Sequence, residues 1–222
     1  MDRPGRRLSQ LYAGLALYGA SLALLVESDL GLSPWDVLHQ GLSRSVGLSI
    51  GTWVLLVGAL VLLLWLPLRQ RPGLGTISNV LLIGVALDAT LWVLPSPDQL
   101  AVRVALLVSG VGLNAVATAG YIGAALGPGP RDGLMTGLAA RGWSVRLVRS
   151  VIELSVLVSG FLLGGTVGIG TVVYALAIGP LVHPLLPLLR VGERVRPASG
   201  PRRRRRSPAA CARTAPCATG PR

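Results

Sequence analysis

Asp88 and His183 stand out because ionisable side chains are costly inside a membrane and often handle ions or solutes when they occur there. Asp88 falls in the late middle of a long apolar stretch, and His183 takes the equivalent position in another stretch, 95 residues later. An Asp and a His near each other are suited to moving protons or binding cations. The alternative is that both lie one turn from water and extend their polar ends into it.

A second set of polar residues is typical of a helix start. Ser33 can cap a helix, Pro34 suits the first helical position, and Asp36 lies near free backbone N–H groups. Pro130 and Asp132 repeat this arrangement. We predict a short re-entrant or interfacial helix after each, over about residues 34–46 in the first case. In transporters such helix ends bind substrate; the alternative is that both Asp residues only cap surface helices.

Four further polar residues lie inside predicted helices. Asn79 and Asn114 are candidates for the same solute or ion path, with hydrogen bonding between helices as the alternative. Arg149 and Glu153 are four positions apart, so they share one helix face and are expected to pair. That pair either allows an Arg to enter the edge of the bilayer, or it lies on the side of the helix that faces the substrate.

The sequence lacks the motifs of soluble enzymes. It has two His, at 39 and 183, and it contains no H-E-x-x-H and no phosphate-binding Gly-rich loop. Cys211 and Cys217 lie in the C-terminal tail, which we expect to be in the reducing cytoplasm. Neither a disulfide nor a Cys-only metal site is therefore predicted. We therefore expect no catalytic residue, no metal and no cofactor, and we predict that the protein is not an enzyme.

The elements that must position these residues are apolar helices. Of 222 residues, 51% are hydrophobic and 14% are charged, which excludes a disordered chain and is too apolar for an ordinary soluble domain. About 20 apolar residues cross a hydrocarbon core of roughly 30 Å. The sequence therefore predicts an all-α membrane protein. Its six predicted transmembrane helices are 8–26, 48–68, 74–94, 102–126, 145–163 and 169–189.

The net charge of +12 comes from Arg residues at the chain ends. Residues 190–222 hold ten Arg and one acid, and residues 1–7 hold three Arg and one acid. The stretch between them is nearly neutral. The positive-inside bias then places both termini in the cytoplasm. We expect residues 1–7 to be a basic N-terminus, and residues 191–222 to be a disordered tail that binds anionic lipid rather than nucleic acid.

The sequence contains an internal repeat. Residues 31–42 and 127–138 both fit the pattern G-x-x-P-x-D-x-L-x-x-G-L, 96 positions apart, and residues 73–76 match 168–171 at a spacing of 95. The two copies, 8–95 and 101–190, each hold three predicted spans. Because three is odd, the second copy must be inserted with inverted topology, which is typical of secondary transporters that use alternating access.

The repeat motif also carries a family resemblance. L-G-L-S-P-W-D-V-L at 30–38, G-L-S-I-G-T at 47–52 and G-L-G-T-I at 73–77 resemble the YczE/YitT-like family of bacterial integral membrane proteins. The similarity covers about residues 8–190. It implies a multi-pass protein of the bacterial inner or plasma membrane, and it brings neither a substrate nor a catalytic residue.

These observations favour a small secondary transporter of a small polar or cationic solute. The alternatives are a membrane factor that assists assembly or secretion of a partner without transporting, and a small channel. The G-x-x-x-G patterns at 123–127 and 160–164 permit close helix approach. We expect them to serve packing inside the monomer, with a homodimer as the alternative.

Overall fold

The computed structural model describes residues 4–191, and within that range it is entirely helical. The prediction of an all-α protein with transmembrane helices is confirmed, and five of the helices (α1, α3, α4, α5 and α8) are long and apolar enough to cross a membrane. The predicted tail from residue 192 onward, with Cys211 and Cys217, lies outside the described residues. The eight helices are α1 Pro4–Ser28, α2 Pro34–Val46, α3 Ile50–Leu68, α4 Leu74–Val93, α5 Leu100–Gly123, α6 Pro130–Ala139, α7 Val145–Leu162 and α8 Ile169–Leu189.

The helix at the fifth predicted span, α7, differs from those five. It forms close to the predicted boundaries, yet it has 18 residues and carries Arg146, Arg149 and Glu153 in its first half. Three charges over that length reduce its mean hydropathy, so α7 is not among the helices that qualify as spans by length and composition.

Long and short helices follow each other in the same order twice. In α1–α4 and again in α5–α8, a long helix is followed by a short one and then by two longer ones. The predicted short helix over 34–46 forms with those bounds. The Ser33 side chain accepts a hydrogen bond from the N–H of Asp36, and Gly47 ends the helix with a φ of 84°. The second short helix, α6, follows Gly129 and has no side-chain cap.

The long helices α1 and α5 pack together at the centre, with α4 against α1 and α8 against α5. Leu15 and Leu22 of α1 are fully buried in this core. The Asn114 side chain of α5 is also buried; it donates to the Ser21 hydroxyl at 2.9 Å and accepts from the Tyr174 hydroxyl at 2.9 Å. Asn114 therefore joins α5 to α1 and α8, which is the helix-tying alternative that its sequence context left open.

Two Arg residues make equivalent hydrogen bonds to backbone carbonyls at opposite ends of the α1–α5 pair. Arg7, near the start of α1, donates to the carbonyls of Ala124 and Ala125 at 2.9 and 2.8 Å. Arg103, near the start of α5, donates to the two carbonyls at the end of α1, both at 2.7 Å. The last carbonyls of a helix lack partners within it, so each Arg satisfies them. Residues 4–7, which belong to the predicted basic N-terminus, are helical and form the start of α1.

The two halves differ where their last two helices meet. In the α3–α4 seam the backbones of Gly51 and Gly84 touch, so that a Cβ at either position would collide with the carbonyl oxygen of the other. No comparable packing joins α7 to α8. Gly179 of α8 lies 95 positions after Gly84, and a Cβ there would meet nothing within 4 Å. The α3–α4 seam is closed, and the corresponding space between α7 and α8 is open.

Candidate functional site

A cavity of about 400 Å³ lies where the two short helices meet, and all eight helices contribute to its lining. Ser33 and Pro34 line it from the start of α2, and Pro130 and Asp132 line it from the start of α6. On one side it extends between the first half of α7 and the second half of α8, where these helices are not packed together. The volume is sufficient for a small molecule.

Asp36 lies buried on α2, next to the cavity, and is held in a group of three charged or titratable residues. One of its carboxylate oxygens accepts a hydrogen bond from the Ser33 hydroxyl. The other, Oδ1, lies 3.5 Å from Nδ1 of His39 and 3.9 Å from the Arg131 guanidinium of α6. Neither Oδ1 of Asp36 nor Nδ1 of His39 has a hydrogen-bond partner. The geometry brings an acid, an imidazole and a guanidinium together at the junction of the short helices.

The protonation of this group follows from its surroundings. Burial lowers the pKa of His39 below its ordinary value. Burial would raise the pKa of Asp36, but the adjacent imidazole and the Arg131 guanidinium more than offset it, so the pKa is lowered. At neutral pH the group therefore consists of an ionised Asp36, a neutral His39 and a cationic Arg131.

Arg131 also joins the short helices through an aromatic contact. Its guanidinium lies over the Trp35 ring, 4.9 Å from the ring centroid. Beside it, the Trp65 indole of α3 donates to the Pro130 carbonyl at 3.0 Å. These contacts hold the start of α6 against α2 and α3.

Asp132 is an exposed residue whose side chain lines the cavity. It accepts a long hydrogen bond from the Tyr121 hydroxyl at 3.4 Å. Within residues 4–191 no Arg or His nitrogen lies within 4.0 Å of it. Arg149 and Glu153, which also line the cavity, pair with each other at 2.8 Å. Asp132 is thus left without a cationic partner.

Asp88 lies outside the cavity lining. Its carboxylate accepts hydrogen bonds from the Ser49 hydroxyl at 2.6 Å and from the Gly51 N–H at 2.8 Å. Both donors lie at the start of α3, where free N–H groups and the helix dipole favour a negative charge. Asp88 therefore caps α3 across the α3–α4 seam, whereas His183 lines the cavity. The structure gives these two residues, predicted as a pair, different surroundings.

The other sequence-predicted residues fall mostly at the cavity. Besides those described above, Asn79 lines it. Sequence reasoning missed His39 and Arg131 as site residues. A signal was available for both, because His39 follows Asp36 by three positions on one helix face and Arg131 precedes Asp132 in the repeat motif. The predicted site residues that line the cavity are Ser33, Pro34, Asn79, Pro130, Asp132, Arg149, Glu153 and His183.

Comparison with known proteins places the chain in a family. Residues 5–186 match the family of unknown function DUF6198. An uncharacterized protein of Haemophilus influenzae is 40% identical, with 83% of this chain and 85% of that protein covered. In Bacillus subtilis, the uncharacterized membrane protein YczE is 35% identical over 79% of this chain and 83% of its own length. The uncharacterized protein YyaS of the same organism is 29% identical, with 79% and 90% covered.

No solved structure matches the chain. The similarity to YczE confirms the resemblance that the repeat motif indicated. The apolar helices agree with the description of that relative as a membrane protein. The chain is a membrane protein with several transmembrane helices, and it belongs to the DUF6198 family.

Proposed function

We propose that the protein is a small secondary transporter, which moves a small polar or cationic solute across the cell membrane by alternating access. The observation that carries this proposal is the cavity at the junction of the two short helices, with Asp132 exposed in it and without a cationic partner. A membrane protein that only assisted a partner would not need an interior cavity with charged side chains in its wall.

The contacts between the halves support an inverted repeat. Arg7 and Arg103 are 96 positions apart and make equivalent bonds at opposite ends of the α1–α5 pair. The Gly75 N–H donates to the Leu126 carbonyl at 3.0 Å, and its counterpart 95 positions later, Gly170, donates to the Leu30 carbonyl at 2.8 Å. If a pseudo-two-fold axis relates the two halves, each contact from the first half to the second has an equivalent contact from the second half to the first, as these pairs do. In this proposal α7 also spans the membrane, which brings the number of spans to six, and both termini are cytoplasmic.

The difference between the seams supports alternating access. In the proposed topology, the end of the α3–α4 seam at Gly51 and Gly84 faces outside and is closed. The cavity reaches between α7 and α8 toward the cytoplasm. The structure then corresponds to an inward-facing state. If the halves exchanged conformations, α7 would close on α8 and α3 would separate from α4, which would open the cavity to the outside.

The charges in the cavity favour a cationic or ammonium-bearing solute. Arg149 is neutralised by Glu153, and Arg131 faces Asp36. The carboxylate of Asp132 remains, and a bound cation would compensate its charge. Because Asn79 and Tyr121 line the same space, they can supply further hydrogen bonds to a polar solute.

Uptake by proteoliposomes that contain the purified full chain tests this function. The probes are radiolabelled alkylamines, amino acids and alkali-metal cations. We expect at least one of them to accumulate, with uptake reduced at least tenfold by Asp132→Asn. The matched control is Asp98→Asn, which removes an exposed carboxylate between α4 and α5. Equal uptake by wild type and Asp132→Asn, or no uptake of any probe, would contradict the proposal, and uptake without counterflow would indicate a channel.

A further inference from the structure

We propose that Asp36 and His39 together bind the proton that is co-transported with the solute, an inference that rests on the proposed transport function. Both side chains are buried, at 3% and 1% exposure. Oδ1 of Asp36 and Nδ1 of His39 lie 3.5 Å apart, and neither atom has a hydrogen-bond partner. Buried polar atoms almost always have hydrogen-bond partners. Two unpartnered atoms so close together therefore indicate a place where one added proton would form the missing hydrogen bond.

One added proton supplies the missing interaction. It leaves a hydronium ion, which becomes water, and binds Nδ1 of His39, whose neutral ring in this proposal carries its hydrogen on Nε2; the new N–H then donates a hydrogen bond to Oδ1 of Asp36. No other bond forms or breaks. His39 lines the cavity, so the cavity provides the route for this proton. An imidazole is suited to the task because its charge changes near neutral pH.

The proton acts on the contact between the two halves. The Arg131 guanidinium belongs to α6 and lies 3.9 Å from the same Oδ1 of Asp36. A protonated His39 adds a second positive charge beside Arg131 and competes with it for the carboxylate. The contact between the short helices is thereby weakened. Proton binding is thus coupled to the junction that alternating access must rearrange.

The surroundings of this pair contain other titratable groups. The charged or imidazole residues that line the cavity with His39 are Arg131 and Asp132 of α6, Arg149 and Glu153 of α7, and His183 of α8. Three tyrosines, Tyr18, Tyr121 and Tyr174, also face it from α1, α5 and α8. The lining residues of α3 and α4 are not titratable. Among these cavity-lining residues, Arg131 approaches Asp36 within 4.0 Å, so we expect it to have the largest effect on the protonation of the Asp36–His39 pair.

Histidine NMR on the full chain in lipid nanodiscs tests the proton site without any solute. The chain has two His, so His183→Gln leaves His39 as the single ¹⁵N-labelled signal. We expect His39 to be protonated reversibly, with a pKa below the ordinary value of 6.5. Arg131→Gln, which removes the nearby positive charge, should raise that pH. A His39 signal that titrates at the ordinary pH, that never titrates, or that is unaffected by Arg131→Gln would overturn the proposal.

Proton movement in proteoliposomes tests the coupling. With a solute identified in the uptake panel and pyranine in the lumen, wild type should acidify the lumen as the solute enters. His39→Gln and Asp36→Asn should each lose the acidification, whereas Asp98→Asn, which changes an exposed carboxylate outside the cavity, should keep it. Acidification by His39→Gln and Asp36→Asn that equals wild type would overturn the coupling. The NMR result does not depend on transport, so failure of the proton site and failure of the transport function are distinguishable.

Discussion

Alanine substitution at two equivalent glycines tests the difference between the closed and the open seam. In Gly84→Ala the new Cβ collides with the backbone carbonyl of Gly51, which cannot move without shifting α3. In Gly179→Ala the new Cβ meets nothing within 4 Å. Both glycines lie inside apolar helices at matching positions of the two halves, so each variant is the control for the other.

The two substitutions are expected to change the free energy of unfolding differently. Inserting a methyl group into a close-packed contact costs about 1–3 kcal/mol. Gly84→Ala should therefore lower the free energy of unfolding by about that amount. Gly179→Ala meets no steric cost, and the greater helix propensity of Ala should leave the free energy unchanged or raise it by up to about 1 kcal/mol.

Unfolding in mixed micelles of dodecyl sulfate and a mild detergent, followed by tryptophan fluorescence, measures this difference. The account predicts that Gly84→Ala unfolds at lower dodecyl sulfate content than wild type and that Gly179→Ala does not. Equal unfolding of the two variants, or selective destabilisation by Gly179→Ala, would show that the two seams do not differ in packing.

The remaining predictions concern polar contacts at helix ends and use the same titration. Arg103→Gln and Arg7→Gln should each lower the free energy of unfolding by about 1–2 kcal/mol. Their losses should add within about 0.5 kcal/mol because the contacts lie at opposite ends of α1, and clear non-additivity would contradict independent caps. Asp88→Asn should cost about 1–3 kcal/mol, against less than about 0.5 kcal/mol for Asp98→Asn; equal effects would rule out the capping role of Asp88.

The sequence contained most of the information about the elements. Apolar length gave the long helices, and the Ser33–Pro34 start with Gly47 at the end gave α2 with its observed bounds. The repeat motif located α6. The fifth predicted span formed as α7, but its charged residues keep it apart from the five helices that qualify as spans in the structure. Local patterns were sufficient here because helix starts, helix ends and apolar length depend on neighbouring residues.

The site depended on contacts that local patterns do not contain. Asp88 has the sequence context of an intramembrane acid, yet its carboxylate is satisfied by the start of α3, from which it is separated by 37 and 39 residues. The Asp36–Arg131 approach joins residues of different halves and depends on how the short helices meet. The predicted repeat indicated which residues correspond, and the packing showed which of them line the cavity.

Alternating access requires that the cavity can be reached from both sides of the membrane, and thiol labelling measures this directly. In a full chain with Cys211 and Cys217 changed to Ser, Thr118→Cys places a thiol of similar size in the cavity wall. A membrane-impermeant maleimide is applied to right-side-out and inside-out vesicles, with Asp98→Cys as the marker of the outer side. The account predicts that Thr118→Cys is labelled from both sides and Asp98→Cys only from outside. Labelling of Thr118→Cys from a single side, or from neither, would contradict alternating access.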